Sequence, residues 1–322
     1  MFFMMVVFTG LAITILSYTV RSPRWHTAVF ILGGLAQTGG SVAFIAFTSA
    51  AGSWGGHWIP AMILTLAGAE ALDSNADGGP VRVHVWQSCL SACVFVGMMV
   101  GEEITAGHGH FYNYVHQLLF TLGFLLSLSA GLEAVLERRG MDRDTAADAS
   151  RIRCVVDAAL FSGLGALIIV HVHDPSPIAT YFHTGLGVML IALGAVILVC
   201  AIAHRCTPRD HPACKMMRLV QAFAYILPGG WCMQMAVLIY SGDGGLQQVL
   251  MDTNIRASTP LEEAGTFFSL NLLSSALLLA ILSAAQGRRG LGNANREKGA
   301  GAHRSGRVRP DEDILLPLAD PQ

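Results

Sequence analysis

Residues 178–203 read IATYFHTGLGVMLIALGAVILVCAIA and contain no Asp, Glu, Lys or Arg. At a rise of about 1.5 Å per residue, a helix of this length crosses the roughly 30 Å hydrocarbon layer of a bilayer. The whole chain shares this character, because 53% of its 322 residues are hydrophobic and only 13% are charged. A soluble domain carries about 25% charged residues. The sequence therefore predicts an all-α, polytopic bundle of transmembrane helices.

Apolar runs of similar length recur along the chain and predict about nine spans. They lie near residues 1–20, 27–48, 58–72, 84–104, 111–136, 154–172, 178–203, 219–240 and 267–285. The run at 58–72 is short and carries Glu70. The first run lacks the basic start of a signal peptide, which favours a retained helix. Gly97 and Gly101 in the fourth run have the spacing that allows close helix packing in lipid.

Basic residues are concentrated in every second loop. Because cytosolic loops collect Lys and Arg, this alternation predicts an amino terminus outside or in a lumen and a carboxyl terminus in the cytosol. The basic residues lie in 21–24, at 82, and in 138–153, 205–218 and 288–289. The net charge of −2 gives no reason to expect a nucleic-acid partner, so the predicted partner is the lipid bilayer.

Residues 287–322 are rich in Gly, Arg, Asn and Asp and are predicted to form a disordered cytosolic tail. Within this tail, Asp311, Leu315 and Leu316 have the spacing of an acidic dileucine sorting signal. This pattern predicts cytosolic sorting adaptors as partners and an endolysosomal or vacuolar membrane as the location. The alternative is a short apolar patch in a flexible tail.

Histidines gather at the predicted outer ends of the helices. The outer set is His57, His108, His110, His116, His171, His173 and His183, with Glu102 and Glu103 at the same level. The segments 114–116 and 181–183 both read Tyr-x-His and both begin a span after a His-x-His loop, so the two hairpins look like copies of one unit. Imidazole favours Zn and Cu. We therefore predict a transition-metal site formed by His116, His171, His173, His183 and Glu102, with His57 and Glu103 as further candidates.

A structural role fits the same histidines, because histidines at helix ends cap carbonyls or form hydrogen bonds between helices. Acidic residues at the predicted cytosolic side are also open to two interpretations. Glu70, Glu133 and Asp157 lie near the inner ends of three spans. Glu133 pairs with nearby arginines in one interpretation, and the three acids mark a proton or cation path in the other.

Several short motifs resemble the transmembrane protein 45-like family, also called domain of unknown function 716. They are GHWIP at 56–60, VGMMVGE at 96–102, HVH at 171–173 followed by His183, PGGWCMQ at 228–234, and Met-Asp at 251–252. The resemblance implies a seven-helix core, here residues 51–286, so that residues 1–50 form an additional amino-terminal pair of helices. It also implies that Trp231 and Gln234 belong with the histidine motifs, and it implies no reaction.

Three classes of function remain open at this point, and the sequence does not decide whether the protein is an enzyme. A metal with an open coordination position could activate water for hydrolysis of a lipid-like substrate, while bis-histidine haem between His116 and His183 is the less favoured cofactor. A cation or proton transporter would use the outer histidines as an entrance and the inner acids as an exit. A non-enzymatic endolysosomal trafficking or scaffold protein would use the histidines for structure or for sensing lumenal pH.

Overall fold

A computed structural model of the chain describes residues 51–73, 85–106, 111–138, 143–171, 177–207, 211–239 and 259–305, together with seven separate positions before residue 37. Within the described ranges from residue 51 onward it contains seven helices. They are α1 (Ala51–Asp73), α2 (Val85–Ala106), α3 (Phe111–Arg138), α4 (Arg143–Val170), α5 (Pro177–Cys206), α6 (Pro212–Leu238) and α7 (Pro260–Ser305). No strand occurs in these ranges, which confirms the predicted all-α class.

Four of the described helices contain a stretch long and apolar enough to cross a membrane. The stretches are Tyr114–Leu136, Asp148–Val170, Pro177–Ala203 and Pro260–Ala284, and α2 contributes the shorter apolar stretch Ser88–Gly101. Large apolar side chains on the four helices, such as Leu132, Val155, Val199 and Leu273, are more than half exposed. Exposed apolar surface of this kind is compatible with a membrane protein. Apart from the seven positions before residue 37, the two spans predicted in residues 1–50 lie outside the described residues.

Helices α1 and α6 are not among these four, and both lie in the interior of the bundle. They pack along each other, and α5 and α7 also pack against α6. Trp58 and Ala61 of α1 and Met235 and Ala236 of α6 are fully buried. Because neighbouring helices surround them, these two helices need not present an apolar surface to lipid, and α6 accommodates the buried polar side chain of Gln221.

Glycines allow two of the outer helices to approach closely. Gly165 of α4 and Gly187 of α5 face each other, and a Cβ on either would meet the backbone carbonyl oxygen of the other. Small residues serve this purpose in helix pairs within lipid. The packing role predicted for Gly97 and Gly101 is wrong for the described part of the chain, since a Cβ at either position would have no atom within 4 Å.

Helix α4 begins well before the span predicted from its sequence. Arg151 and Arg153 were expected in a loop, but both lie within α4, whose apolar stretch begins at Asp148. Arg153 is buried because its guanidinium pairs with Glu133 of α3 and with Asp157 one turn further along α4. The predicted pairing of Glu133 with an arginine is thus confirmed. Loop-charge counting missed Arg153 because it treats every arginine at a membrane edge as solvated.

The last helix is longer than the predicted span at 267–285. Helix α7 continues to Ser305, so the backbone after residue 286 is helical where the sequence predicts the start of a disordered tail. No proline occurs between Pro260 and Pro310, and proline is the residue that most strongly ends a helix. The sorting motif of Asp311, Leu315 and Leu316 lies outside the described residues.

Candidate functional site

Four histidines from four parts of the bundle lie in contact and are called here the histidine cluster: His57 of α1, His116 of α3, His171 directly after α4, and His183 of α5. The ring centroids of His57 and His183 are 5.5 Å apart, those of His183 and His171 are 6.2 Å apart, and those of His171 and His116 are 4.4 Å apart. The three contacts connect the rings in the order His57, His183, His171 and His116, and each contact is edge-on.

His183 is the most buried member of the cluster, with 2% of its surface exposed. Its Nδ1 lies 2.8 Å from the carbonyl oxygen of Ala179, one turn earlier on α5. A carbonyl oxygen only accepts hydrogen bonds, so Nδ1 carries the proton and donates it. In a neutral imidazole the other ring nitrogen then holds the lone pair, which makes Nε2 of His183 the atom able to bind a metal or a proton.

His171 and His116 form the other half of the cluster. His171 is 4% exposed, and its backbone N–H donates to the carbonyl of Ile168 at 3.2 Å, which continues the last turn of α4. The ring of His116 is stacked on Phe120 one turn along α3, at a centroid distance of 6.0 Å. Helix ends, aromatic neighbours and burial thus restrict the positions that both imidazoles can take.

Trp231 supports the cluster from α6. Its indole N–H donates to the backbone carbonyl of Phe182 at 2.8 Å, and its ring stacks on that of Phe182 at 4.4 Å. Phe267 of α7 contacts Phe182, and Phe268 contacts Trp231. Since Phe182 directly precedes His183, this aromatic packing fixes the first turns of α5 that carry the histidine.

Other predicted site residues lie apart from the ring contacts or outside the described part of the chain. Glu103 is exposed on α2. Gln234 of α6 is partly buried, and its Oε1 has no hydrogen-bond partner among the described residues. His108, His110 and His173 lie outside the described residues, and so does the side chain of Glu102, whose backbone belongs to α2.

The described part of the chain contains no group of three or more His, Cys, Asp or Glu side chains arranged to hold a metal ion. Metal–nitrogen bonds of about 2.0 to 2.1 Å would put the centroids of two imidazoles on one ion roughly 5 Å apart. His57 and His183 are closest to that separation, at 5.5 Å. Among the described histidines, the separation of this pair is thus compatible with two nitrogen ligands of one ion.

The contact of His57 with His183 cannot be predicted from the spacing of residues within one segment, because it joins two helices far apart in sequence. The sequence gives His57 only as a further candidate, beside a main set on the hairpins of residues 84–203. Topology alone predicts that His116, His171 and His183 come to one end of the bundle, and in the structure the ring of His171 contacts those of the other two. Membership of His57 depends on how α1 packs in the bundle.

The site consists of four imidazoles joined by successive ring contacts, supported by an aromatic group and largely shielded by helices. Neutral imidazoles in such a place can bind a soft or borderline metal ion or take up protons. No protein-family model matches the sequence, and no curated protein matches it.

Proposed function

We propose that this chain is a polytopic membrane protein of the transmembrane protein 45-like type whose histidine cluster binds a transition-metal ion, Zn or Cu, at the outer or lumenal face. The observation that carries the proposal is the environment of His183. Its ring is buried, its Nδ1 donates to the carbonyl of Ala179, and imidazoles lie on two sides of it. A hydrogen bond from one ring nitrogen to a carbonyl is the arrangement that orients histidines toward metals.

His57 and His183 would supply two nitrogen ligands. Further ligands would come from His171 or from the predicted residues His173 and Glu102, since a structural or catalytic zinc ion takes at least three protein ligands. A coordination position left to water would allow hydrolytic chemistry, and a closed set would make the ion structural. The ring of His171 contacts those of both His116 and His183, which favours a bare ion over the flat macrocycle of a haem between them.

Metal content tests the proposal directly. The protein would be purified in detergent without added metal, analysed for bound Zn and Cu, stripped with a chelator, and titrated with each ion. We expect tight binding by the wild type and a loss of at least about tenfold in affinity for His183→Ala. Wild-type protein that binds neither ion, or a folded His183→Ala variant with unchanged affinity, would contradict the proposal.

His211→Asn is the matched control. His211 is exposed at the start of α6, where its Nδ1 accepts the backbone N–H of Ala213. Asparagine caps helices in the same way, so this variant removes a histidine without changing the fold. Its metal affinity should equal that of the wild type.

A second candidate function is sensing of lumenal pH by an endolysosomal trafficking or scaffold protein. The observation that favours it is the close contact of the rings, with centroids 4.4 to 6.2 Å apart. Positive charges on two rings this close would repel each other in a partly buried place, so acidification would destabilise the fold.

Thermal unfolding of chelator-treated protein at about pH 7.5 and about pH 5.5 separates the two candidates. A pH sensor loses stability at the lower pH without any metal, and His171→Gln reduces that loss because one ring can no longer be charged. Equal stability at both values would contradict the sensor.

The transporter alternative has less support, since two of its predicted exit acids, Glu133 and Asp157, are paired with Arg153.

A further inference from the structure

A buried polar group lies between α6 and α7 and contains none of the clustered histidines. Asn271 of α7 is fully buried, and Ser275, one turn further along the same helix, is 3% exposed. Both side chains face Gly230 of α6, because a Cβ on Gly230 would collide with Oδ1 of Asn271 and would lie 3.3 Å from Oγ of Ser275. Two side-chain oxygens therefore converge on the space beside the glycine.

The side chain of Asn271 is oriented by a hydrogen bond to α6. Its Nδ2 donates to the backbone carbonyl of Leu227 at 2.9 Å, and a carbonyl oxygen only accepts, so the amide nitrogen must face Leu227. The other amide atom, Oδ1, then faces Gly230, and it has no hydrogen-bond partner among the described residues. Leaving a buried acceptor without a donor is unfavourable. The position of Oδ1 therefore indicates a ligand that donates to it or carries a positive charge.

The hydrogen-bond pattern of α6 is interrupted at the same level. Pro228 lies inside α6 and has no N–H, so it cannot donate to the carbonyl of Ala224 as the helix pattern requires. Gly229 and Gly230 follow it directly. In membrane proteins, helices broken by proline or glycine hold monovalent cations with backbone and side-chain oxygens beside the break. The proline is thus a second indication, independent of Asn271, of a cation site here.

The chemistry of these oxygens restricts the class of ligand. Oδ1 of Asn271 only accepts hydrogen bonds, and so does Oε1 of Gln234, which lies one turn after Gly230 on α6 and is also buried without a partner in the described part of the chain. Acceptor oxygens repel an anion. None of these groups is a carboxylate, whereas sites for Ca²⁺ and Mg²⁺ use carboxylates. Neutral oxygens therefore favour a small monovalent cation.

We propose that Asn271 and Ser275 form, against Gly230, a binding site for a monovalent cation, for which sodium is the probe. Oδ1 of Asn271 and Oγ of Ser275 are the side-chain ligands, and water or backbone carbonyls take the remaining positions. No histidine takes part, so the proposal does not rest on the proposed metal function. Because the folded state binds the ion, sodium should raise the Tm at constant ionic strength.

Binding of radioactive sodium to the purified, full-length protein in detergent tests the site directly. The second readout is the Tm in sodium chloride compared with that in choline chloride at the same ionic strength. The wild type should bind sodium saturably and should unfold at a higher Tm in sodium chloride. Ser275→Ala should weaken both effects, and Asn271→Leu should abolish them. A wild type that binds no sodium and has the same Tm in both salts would overturn the proposal, and water alone would then be the partner of Oδ1.

Ser269→Ala is the matched control on α7. Ser269 is exposed, and its Oγ donates to the carbonyl of Gly265 on the same helix, so this variant should bind sodium as the wild type does. Asn271→Leu also removes the hydrogen bond to Leu227, so Ser275→Ala, which removes a single hydroxyl, decides the test if Asn271→Leu does not fold. Unchanged sodium affinity in folded Ser275→Ala, or an equal loss in Ser269→Ala, overturns the proposal.

Discussion

The histidine cluster and a second polar group, called here the arginine network and formed by Arg153 and Asp157 of α4 and Glu133 of α3, bring different kinds of side chain together. His171 directly follows α4, whereas Arg153 lies in the amino-terminal half of that helix and Asp157 at its middle, about 21 to 27 Å earlier along the axis. The cluster gathers four imidazole rings from four parts of the bundle. The network gathers formal charges from two neighbouring helices and closes on itself, since Arg153 donates to both acids. Nitrogen lone pairs in the cluster can bind an added metal ion or proton, whereas both acids of the network already have Arg153 as a partner.

The largest effect in this comparison is expected at the centre of the network. Arg153→Ala removes the cation that pairs with both acids in the described part of the chain, and it takes this counter-charge away from the buried Glu133. Breaking a buried ion pair in this way costs about 3 to 5 kcal/mol of unfolding free energy. Thermal or denaturant unfolding in detergent would measure the loss.

Arg151→Ala is the matched control for that experiment. Arg151 lies two residues away on the same helix, but its side chain is 53% exposed and pairs with the exposed Asp148. Exposed pairs of this kind contribute about 0 to 1 kcal/mol. If the two alanine variants lost similar stability, the arginine network would not be the buried, self-contained unit described above.

An intermediate loss of stability is expected at the contact between α4 and α5. Gly187→Val would push a branched side chain of α5 into the backbone of α4 at Gly165. Overpacking of this kind costs typically about 1 to 3 kcal/mol. Because α4 and α5 carry His171, His183 and Arg153, separating them should weaken both regions at once, and loss of metal affinity together with stability would reveal this.

The control for the crossing is Gly97→Val in α2. Gly97 is exposed, and a Cβ there would have no atom within 4 Å among the described residues, so the added methyl groups should be tolerated. The stability of this variant should stay within about 0.5 kcal/mol of the wild type, as for most surface changes. A loss as large as that of Gly187→Val would mean that crowding between α4 and α5 is not the cause.

The two regions also differ in how much of their structure the sequence predicts. Hydropathy predicts a span at 178–203, and α5 runs Pro177–Cys206, because an uncharged run of that length has few alternatives. Alternating topology brings His116, His171 and His183 to one end, since consecutive spans return to the same face. Neither rule detects that Arg153 is buried, because its burial depends on carboxyl partners one turn away and on another helix.

At the histidine cluster, too, the sequence does not predict the contacts between helices that are distant in the chain. His57 belongs to a motif in the sequence, yet its contact with His183 arises only from the packing of α1 in the bundle. The hydrogen bond from Trp231 to Phe182 likewise joins α6 to α5. Periodicity and composition describe single helices, so they cannot indicate which side chains of two helices meet.

The smallest effect is expected at that hydrogen bond. Trp231→Phe keeps an aromatic ring against Phe182 but removes the indole N–H that donates to its backbone carbonyl at 2.8 Å. A single hydrogen bond contributes about 0.5 to 1.5 kcal/mol, so stability should fall by about that amount. The stronger readout is metal affinity, because the bond fixes α5 at the residue before His183. Trp231→Phe should weaken binding less than His183→Ala does, since the ligand itself remains. If stability falls as expected while affinity stays that of the wild type, then α6 supports the fold at this point without orienting the histidine cluster.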